Sequence, residues 1–158
     1  MGERDPETLG MYGRTWMDRY NKSGDRSDLE QSRDYYAEAF DLAGDDYYAG
    51  INVASKSFLL GLPEDLGKAR QYTAQVRQIV GTDPHPGDSW KTATVGEVFL
   101  LMENYSDAAR VFKAAVATAR AETGSHEAIW KQACLLMEKL QPSDADRVMV
   151  RQAFAQSA

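Results

Sequence analysis

Cysteine is almost missing from this chain. Cys134 stands alone among 158 residues, so no disulfide framework can form within it. A lone thiol fits a reducing compartment, and the expected location is cytoplasmic. Histidine is nearly as scarce. His126 and Cys134 lie eight residues apart, about two turns along one helix, too far to chelate one metal ion. His85 sits between Pro84 and Pro86 in a loop. Cys134, followed by Leu135-Leu136, reads as a buried structural thiol rather than a nucleophile. No metal and no cofactor is expected. Long apolar runs are absent too: the longest, Val98 to Met102, falls far short of the ~20 residues a spanning helix needs. The first residues, Met1 to Pro6, hold no apolar h-region, so no secretory leader is expected. No cluster of four or more Lys/Arg occurs, and the net charge is −6 with a pI near 4.9. Nucleic-acid binders carry a basic stripe instead, so neither nucleic acid nor membrane is expected as a partner.

Strand signal is also lacking. Apolar residues recur at spacings of three and four along nearly the whole chain, the signature of amphipathic helices. Leu9, Tyr12, Trp16 and Tyr20 form the first stripe, and Leu29, Tyr36, Ala39 and Phe40 the second. Ile51, Ala54 and Phe58 follow, then Leu66, Ala69, Val76 and Val80, then Val95, Phe99 and Met102. Tyr105, Ala108, Phe112, Ala115 and Ala119 make the sixth, and Ile129, Ala133, Leu136 and Leu140 the seventh. A short eighth carries Val148, Met149 and Phe154.

The breaks hold stop and start residues. Asn21 to Gly24 ends the first helix, and Ser27-Asp28-Leu29-Glu30 reads as a capping box for the second. Gly44-Asp45-Asp46 supplies an N-cap carboxylate to the third. Pro63 fits the first turn of the fourth. Thr82 to Asp88 is the strongest loop, and Thr123-Gly124-Ser125 and Gln141-Pro142-Ser143 are the last two stops. The expectation is one all-α domain, 1–158, of about seven to eight helices, with hairpins near 7–43, 46–81, 88–122 and 125–156.

The hairpins repeat. Val95, Gly96 and Phe99 give a large, a small and an aromatic residue in one helix. Ala108, Phe112 and Ala115 answer in the next. Small residues let two helices approach, and the aromatics fill the space between. Ser32, Tyr36 and Ala39 are a second copy of the latter triplet, and Ala69, Thr73 and Val76 a weaker third, at steps of 37 and 39 residues. Leu9-Gly10 and Val53-Ala54 are the matching large–small pairs upstream. The pattern resembles the tetratricopeptide repeat (TPR), whose period is about 34. That resemblance implies a right-handed superhelix of antiparallel helical hairpins that binds proteins and is not an enzyme.

The first half is more specific. Gly13, Arg14, Trp16 and Asp18, then Tyr36, Ala39, Phe40 and Leu42, then Tyr48, Gly50, Ile51 and Asn52 resemble the central regulatory region of the apoptosis signal-regulating kinases and its bacterial relatives. Trp90, Val95, Gly96 and Phe99 match a later Trp-led helix there, and Trp130 another aromatic. In those kinases the region is described as the TRAF-binding domain. The resemblance implies a regulatory scaffold within a signalling protein. The kinase motifs themselves are absent: no Gly-rich phosphate loop, Val-Ala-Ile-Lys, His-Arg-Asp or Asp-Phe-Gly occurs.

Other chemistry is hard to find. Asp45-Asp46 and Asp144/Asp146 sit at helix starts, where capping and the helix dipole account for them. Ser55-Lys56-Ser57 matches no hydrolase motif, and Gly50-Ile51-Asn52 no phosphate loop. In TPR arrays the first helix of each hairpin lines the concave face, and its polar residues off the core stripe contact partners. Here those are Arg14, Asp18, Asn52, Ser55, Lys56 and Glu97, joined by Tyr48 and by Trp90 as an aromatic anchor. Arg14 can grip a carboxylate, and Asn52 can bond a peptide backbone from both ends of its amide. Arg14 and Asp18, four apart, can equally pair with each other. The expected partner is a protein or peptide. The alternative is a self-association module, with Val148, Met149, Val150 and Phe154 exposed for a second copy to make a homo-oligomer.

Overall fold

The computed structural model describes residues 5–119 and 125–155. The stop expected at Thr123-Gly124, and the hairpin ends expected at 122 and 156, lie outside them. Within the described residues the chain is all-α, a TPR-type helical repeat without strands. Its helices are α1 (Pro6–Ser23), α2 (Arg26–Leu42), α3 (Tyr47–Leu60), α4 (Pro63–Val80), α5 (Ser89–Leu101), α6 (Tyr105–Ala119), α7 (Ser125–Leu140) and α8 (Asp144–Phe154). They fall into two compact units, Met1–Ile79 and Val80–Ala158.

In the first unit, α1 buries Leu9, Gly13 and Met17. The expected stripe of Leu9, Tyr12, Trp16 and Tyr20 is therefore rotated: Tyr12 is exposed, and Trp16 and Tyr20 are half-buried. Glycine is the reason. A Cβ on Gly13 would stand 2.6 Å from the ring of Tyr36, whereas one on Gly10 would meet nothing within 4 Å. Gly13, not Gly10, is the small residue that lets α2 close on α1. The Ser32 hydroxyl donates 2.7 Å to the Gly13 carbonyl at the same crossing. In α3, a Cβ on Gly50 would meet Val76 at 2.7 Å and Phe40 at 2.9 Å, so Gly50, not Ala54, is the small residue of that crossing. Gly13 and Gly50 stand 37 residues apart, the same step as Ser32 to Ala69. Leu9, Tyr36, Ala39, Phe40, Ala49 and Val53 form one buried cluster.

Caps begin and end these helices. Asp25 caps α2, its carboxylate accepting from the Ser27 amide. The capping box expected to start at Ser27 is thus displaced, because an acidic side chain two residues earlier reaches the free amides first. Asp46 caps α3 as expected, Pro63 opens α4, and Gly61 closes α3 at φ 78, a left-handed angle that favours glycine. Ser143 caps α8, with Asp144 and Asp146 inside its first turn rather than ahead of it.

A buried carboxylate bolts α2 to the α3–α4 turn. Asp65 takes one bond from Arg33 at 2.8 Å and one from Arg26 at 2.9 Å. Arg26 also donates to the Leu60 carbonyl at 2.8 Å. The Asp65 and Arg33 side chains are 5% and 12% exposed, so each depends on the other for its lost water shell.

In the second unit, Gly96 faces Phe112 as Gly13 faces Tyr36: a Cβ there would lie 2.8 Å from the ring. Thr92 pins the preceding loop, receiving a bond from the His85 amide at 2.9 Å and donating to the Asp88 carbonyl at 2.8 Å. The His85 ring meets the Val80 carbonyl at 2.6 Å. Helix α5 ends at Leu101, so Met102 lies exposed in the turn rather than on its stripe. Phe154 of α8 closes the far end, 5.0 Å from the Phe112 ring and 4.8 Å from that of Trp130. This contact corrects the expectation for α8: Val150 and Phe154 are core, and only Val148 and Met149 are exposed. Cys134 is half-buried rather than buried, with partial burial pushing its thiol upward.

The glycine contacts predict opposite outcomes for one substitution. Gly13→Ala and Gly96→Ala will each destabilise by about 1–3 kcal/mol through overpacking, while Gly10→Ala will stabilise by up to about 1 kcal/mol through helix propensity. Thermal unfolding of the three variants checks both signs. Urea unfolding of Asp65→Ala will show a loss of about 3–5 kcal/mol, the cost of stranding a buried guanidinium. Asp34→Ala, which removes the exposed partner of Arg33, will stay within about 0.5 kcal/mol.

Candidate functional site

The candidate surface lies in the first unit and is built on α3. Tyr48, Asn52 and Lys56 recur every four residues and so line one helical face. They hold one another. The Asn52 amide donates to the Tyr48 carbonyl at 2.9 Å, and the Lys56 ammonium donates to Asn52 Oδ1 at 2.7 Å. Beneath them lies Tyr36 of α2, packed against Gly13 on its other side. The Lys56 ammonium sits 5.6 Å from the Tyr36 ring centroid, and the Tyr48 ring meets Tyr36 edge-on at 6.0 Å. Cation and aromatic edge thus share one platform.

Arg14 of α1 completes the group. Its guanidinium is held above its ordinary value chiefly by hydrogen bonding with the Tyr48 hydroxyl, with Tyr36 and Asp18 contributing less. Burial pushes the Tyr36 phenol well above the usual tyrosine range, and Tyr48 adds to the shift. Arg14, Asp18 and Tyr48 are exposed, whereas Asn52 is half-buried, Lys56 only 3% exposed and Ser55 fully buried, its hydroxyl turned to the Asn52 carbonyl and away from any partner. The two ends of the Asn52 amide are already engaged, and the Lys56 ammonium lies inside. These two residues set the shape of the surface, while Arg14 and Tyr48 present hydrogen-bonding groups to solvent.

Trp90 and Glu97 belong to the second unit. Trp90, in the first turn of α5, is 45% exposed, and Glu97 is half-buried. Sequence reasoning placed Tyr36 in the core and missed that it is also the platform of the site. The available signal was Gly13, since a glycine inside a helix marks a close neighbour. It missed Asp65 as well, which looks like one more acidic residue of a first turn.

Among the described residues no group of three or more His, Cys, Asp or Glu could hold a metal ion. No helix among them is long and apolar enough to cross a membrane. A family model described as "Tetratricopeptide Repeats-Sensor" (TPR-S) matches residues 1–60, the segment that holds α1, α2 and α3. Comparison with curated proteins finds no match.

The buried phenol predicts an alkaline weakness. Tyr36 keeps its proton more firmly folded than unfolded. Its contribution to stability is whole below about pH 10, the unfolded value, and falls as pH rises beyond it. Between pH 10 and 11.5 the unfolding free energy will drop by up to about 1.4 kcal/mol per pH unit from this group. Tyr36→Phe will drop less steeply, as urea titrations at a series of pH values can measure.

Proposed function

We propose that this chain is a non-catalytic protein-interaction scaffold, the regulatory segment of a larger signalling protein, taking a protein or peptide partner on the face of α1 and α3. The observation that carries this reading is the constellation on Tyr36. Arg14 and Tyr48 present a guanidinium and a phenol hydroxyl, and Asn52 and Lys56 fix the ground under them. Such a surface needs little rearrangement on binding. Its groups suit a carboxylate or the carbonyls of an extended chain. Trp90 gives the second unit an exposed aromatic of the kind that anchors partners.

Two further points support a signalling role. The first 60 residues match a repeat model whose description includes the word "Sensor". The same stretch resembles the regulatory region of the apoptosis signal-regulating kinases, through Gly13–Asp18, Tyr36–Leu42 and Tyr48–Asn52.

Selection from a displayed peptide library tests the reading. Peptides that bind the chain will lose affinity by about tenfold or more on Arg14→Ala and on Tyr48→Ala, since each removes a charged or aromatic anchor. Asp34→Ala will leave binding unchanged. If the selected peptides bind both variants as they bind the parent, the face is wrongly assigned. Trp90→Ala reads the second unit separately.

A further inference from the structure

Several aspartates of this chain serve the fold. Asp5, Asp25, Asp46 and Asp88 cap helix starts, and Asp65 bolts α2 to the turn before α4. Asp41 does neither. It stands in the last turn of α2, where the carbonyl end of the helix disfavours an anion. No basic residue shares that turn. The other described helices end without an acid in the last turn, except α7, where Lys139 follows Glu138. Asp41 forms no hydrogen bond or ion pair with a described residue. It edges a groove instead. The Asp65 bolt joins α2 to the start of α4. Toward the far ends of these helices lies a cavity of about 570 Å³, lined by Phe40, Asp41, Gly44, Gln75, Gln78 and Ile79. Its floor is apolar, since Phe40 is buried and Ile79 packs against the same core cluster. Tyr72 meets Phe40 edge-on at 5.9 Å. Burial, and then the charge of Asp41, push the Tyr72 phenol upward, so the carboxylate stands close to this aromatic pair. Arg33 also acts on Tyr72 but is bonded to Asp65 and Asp34. Gln75 and Gln78 are exposed, and like Asp41 they form no side-chain hydrogen bond with a described residue.

We propose that this groove between α2 and α4 is a docking site for the guanidinium of an arginine side chain carried by a peptide or protein partner. Charge selects the sign. A carboxylate and a helix carbonyl end face the groove, no base lines it, and both favour a cation. Shape and hydration select the group. A guanidinium is planar and weakly hydrated. It can lie against the Phe40–Tyr72 aromatics, take the Asp41 carboxylate bidentately, and turn its remaining N–H groups to the amide oxygens of Gln75 and Gln78. An ammonium is a strongly hydrated point charge, and a groove this open does not replace its water shell. Openness also selects the source. Small-molecule sites enclose about 70–90% of their ligand, whereas the three polar groups here stand exposed. The groove therefore suits a side chain anchored in a larger partner. It lies on α2 and α4 and is independent of the surface formed by α1 and α3.

Nuclear magnetic resonance titration of the isotope-labelled chain with the blocked tripeptide acetyl-Gly-Arg-Gly-amide tests this. Saturable shifts are expected at the backbone amides of residues 40–44 and at the side-chain amides of Gln75 and Gln78. The matching tripeptides with lysine and with citrulline, a neutral isostere of arginine, will each bind about fivefold or more weakly. Asp41→Asn will weaken binding of the arginine tripeptide by about fivefold or more. It will melt no lower than the parent, because the charge removed opposes the helix dipole. Asp34→Asn, on the same helix, will bind as the parent does. If Asp41→Asn unfolds, the three tripeptides alone decide. The absence of saturable shifts at these residues overturns the proposal, as does equal binding of the three tripeptides. So does a folded Asp41→Asn chain that binds like the parent, or equal weakening by Asp34→Asn, the mark of a general charge effect. Propylguanidinium supplies the same group without a peptide, and its binding more tightly than the arginine tripeptide overturns the peptide source.

Discussion

The contact of Gly13 with the ring of Tyr36 is the constraint from which the first unit follows. A missing Cβ lets α2 approach α1 at one point, and the aromatic ring fills the space that the approach encloses. The same bargain recurs where Gly50 meets Phe40 and Val76, and where Gly96 meets Phe112. Each of these three hairpins is set by one steric event of this kind. The surrounding apolar residues then fall into place on the faces that the crossing leaves inward. The rotation of the α1 stripe to Leu9, Gly13 and Met17 is a direct result. Once Gly13 must face α2, Tyr12 is carried outward.

Tyr36 makes the fold and the site one structure. Its inner edge meets Gly13, and its upper side meets Lys56 and Tyr48. Nothing can shift the ring without disturbing both. The bolt through Asp65 serves the same end by a different force. It ties the start of α2 to the turn that follows α3, so the helix that carries Tyr36 and the helix that carries Tyr48, Asn52 and Lys56 are held at both extremities. Steric fit fixes their approach at one end, and a desolvated ion pair fixes it at the other. A partner meets a surface whose ordering cost has already been met in folding.

Helix identity was legible because period and punctuation agree. Spacings of three and four, with Gly24, Gly61, Pro63 and the Thr82–Asp88 loop between them, leave little room for another reading. Asp46 and Pro63 act as their positions imply. The helical phase was less legible. Tyr12, Trp16 and Tyr20 make as good an apolar stripe as Leu9 and Met17, and only the neighbour of Gly13 decides between them. Hydrophobicity ranks residues by size and polarity, whereas a close crossing is decided by the absence of a side chain. The cap at Asp25 was hidden by a second competent motif two residues on. Of the site, the four-residue ladder Tyr48, Asn52, Lys56 could be read from spacing alone. That Lys56 lies buried and Asn52 is already engaged could not, since both depend on α1 and α2 arriving from a distance in sequence. Asp65 was hidden for the same reason: its partners stand 32 and 39 residues away.

Repetition makes departures informative. Three hairpins share one steric rule, so a position that is covered in one is expected to be covered in the others. With Gly13, Gly50 and Gly96 aligned, Ala49, Val53, Val95 and Phe99 are buried at these places, whereas Tyr12 is exposed, its ring against Tyr35, and Trp16 is half-buried. The part of each ring left in water forgoes the gain of burial that its counterparts have secured. Lys56 makes the same point from the polar side. Its counterpart in the 37-residue register is Arg19, and both place a cation against an aromatic ring, Tyr36 in one case and Trp16 in the other. In α3 the pair is sealed inside. In α1 it stands at the surface, with the same chemistry and without its cover. The same cation–aromatic pairing thus recurs in register, sealed inside in α3 and placed at the surface in α1.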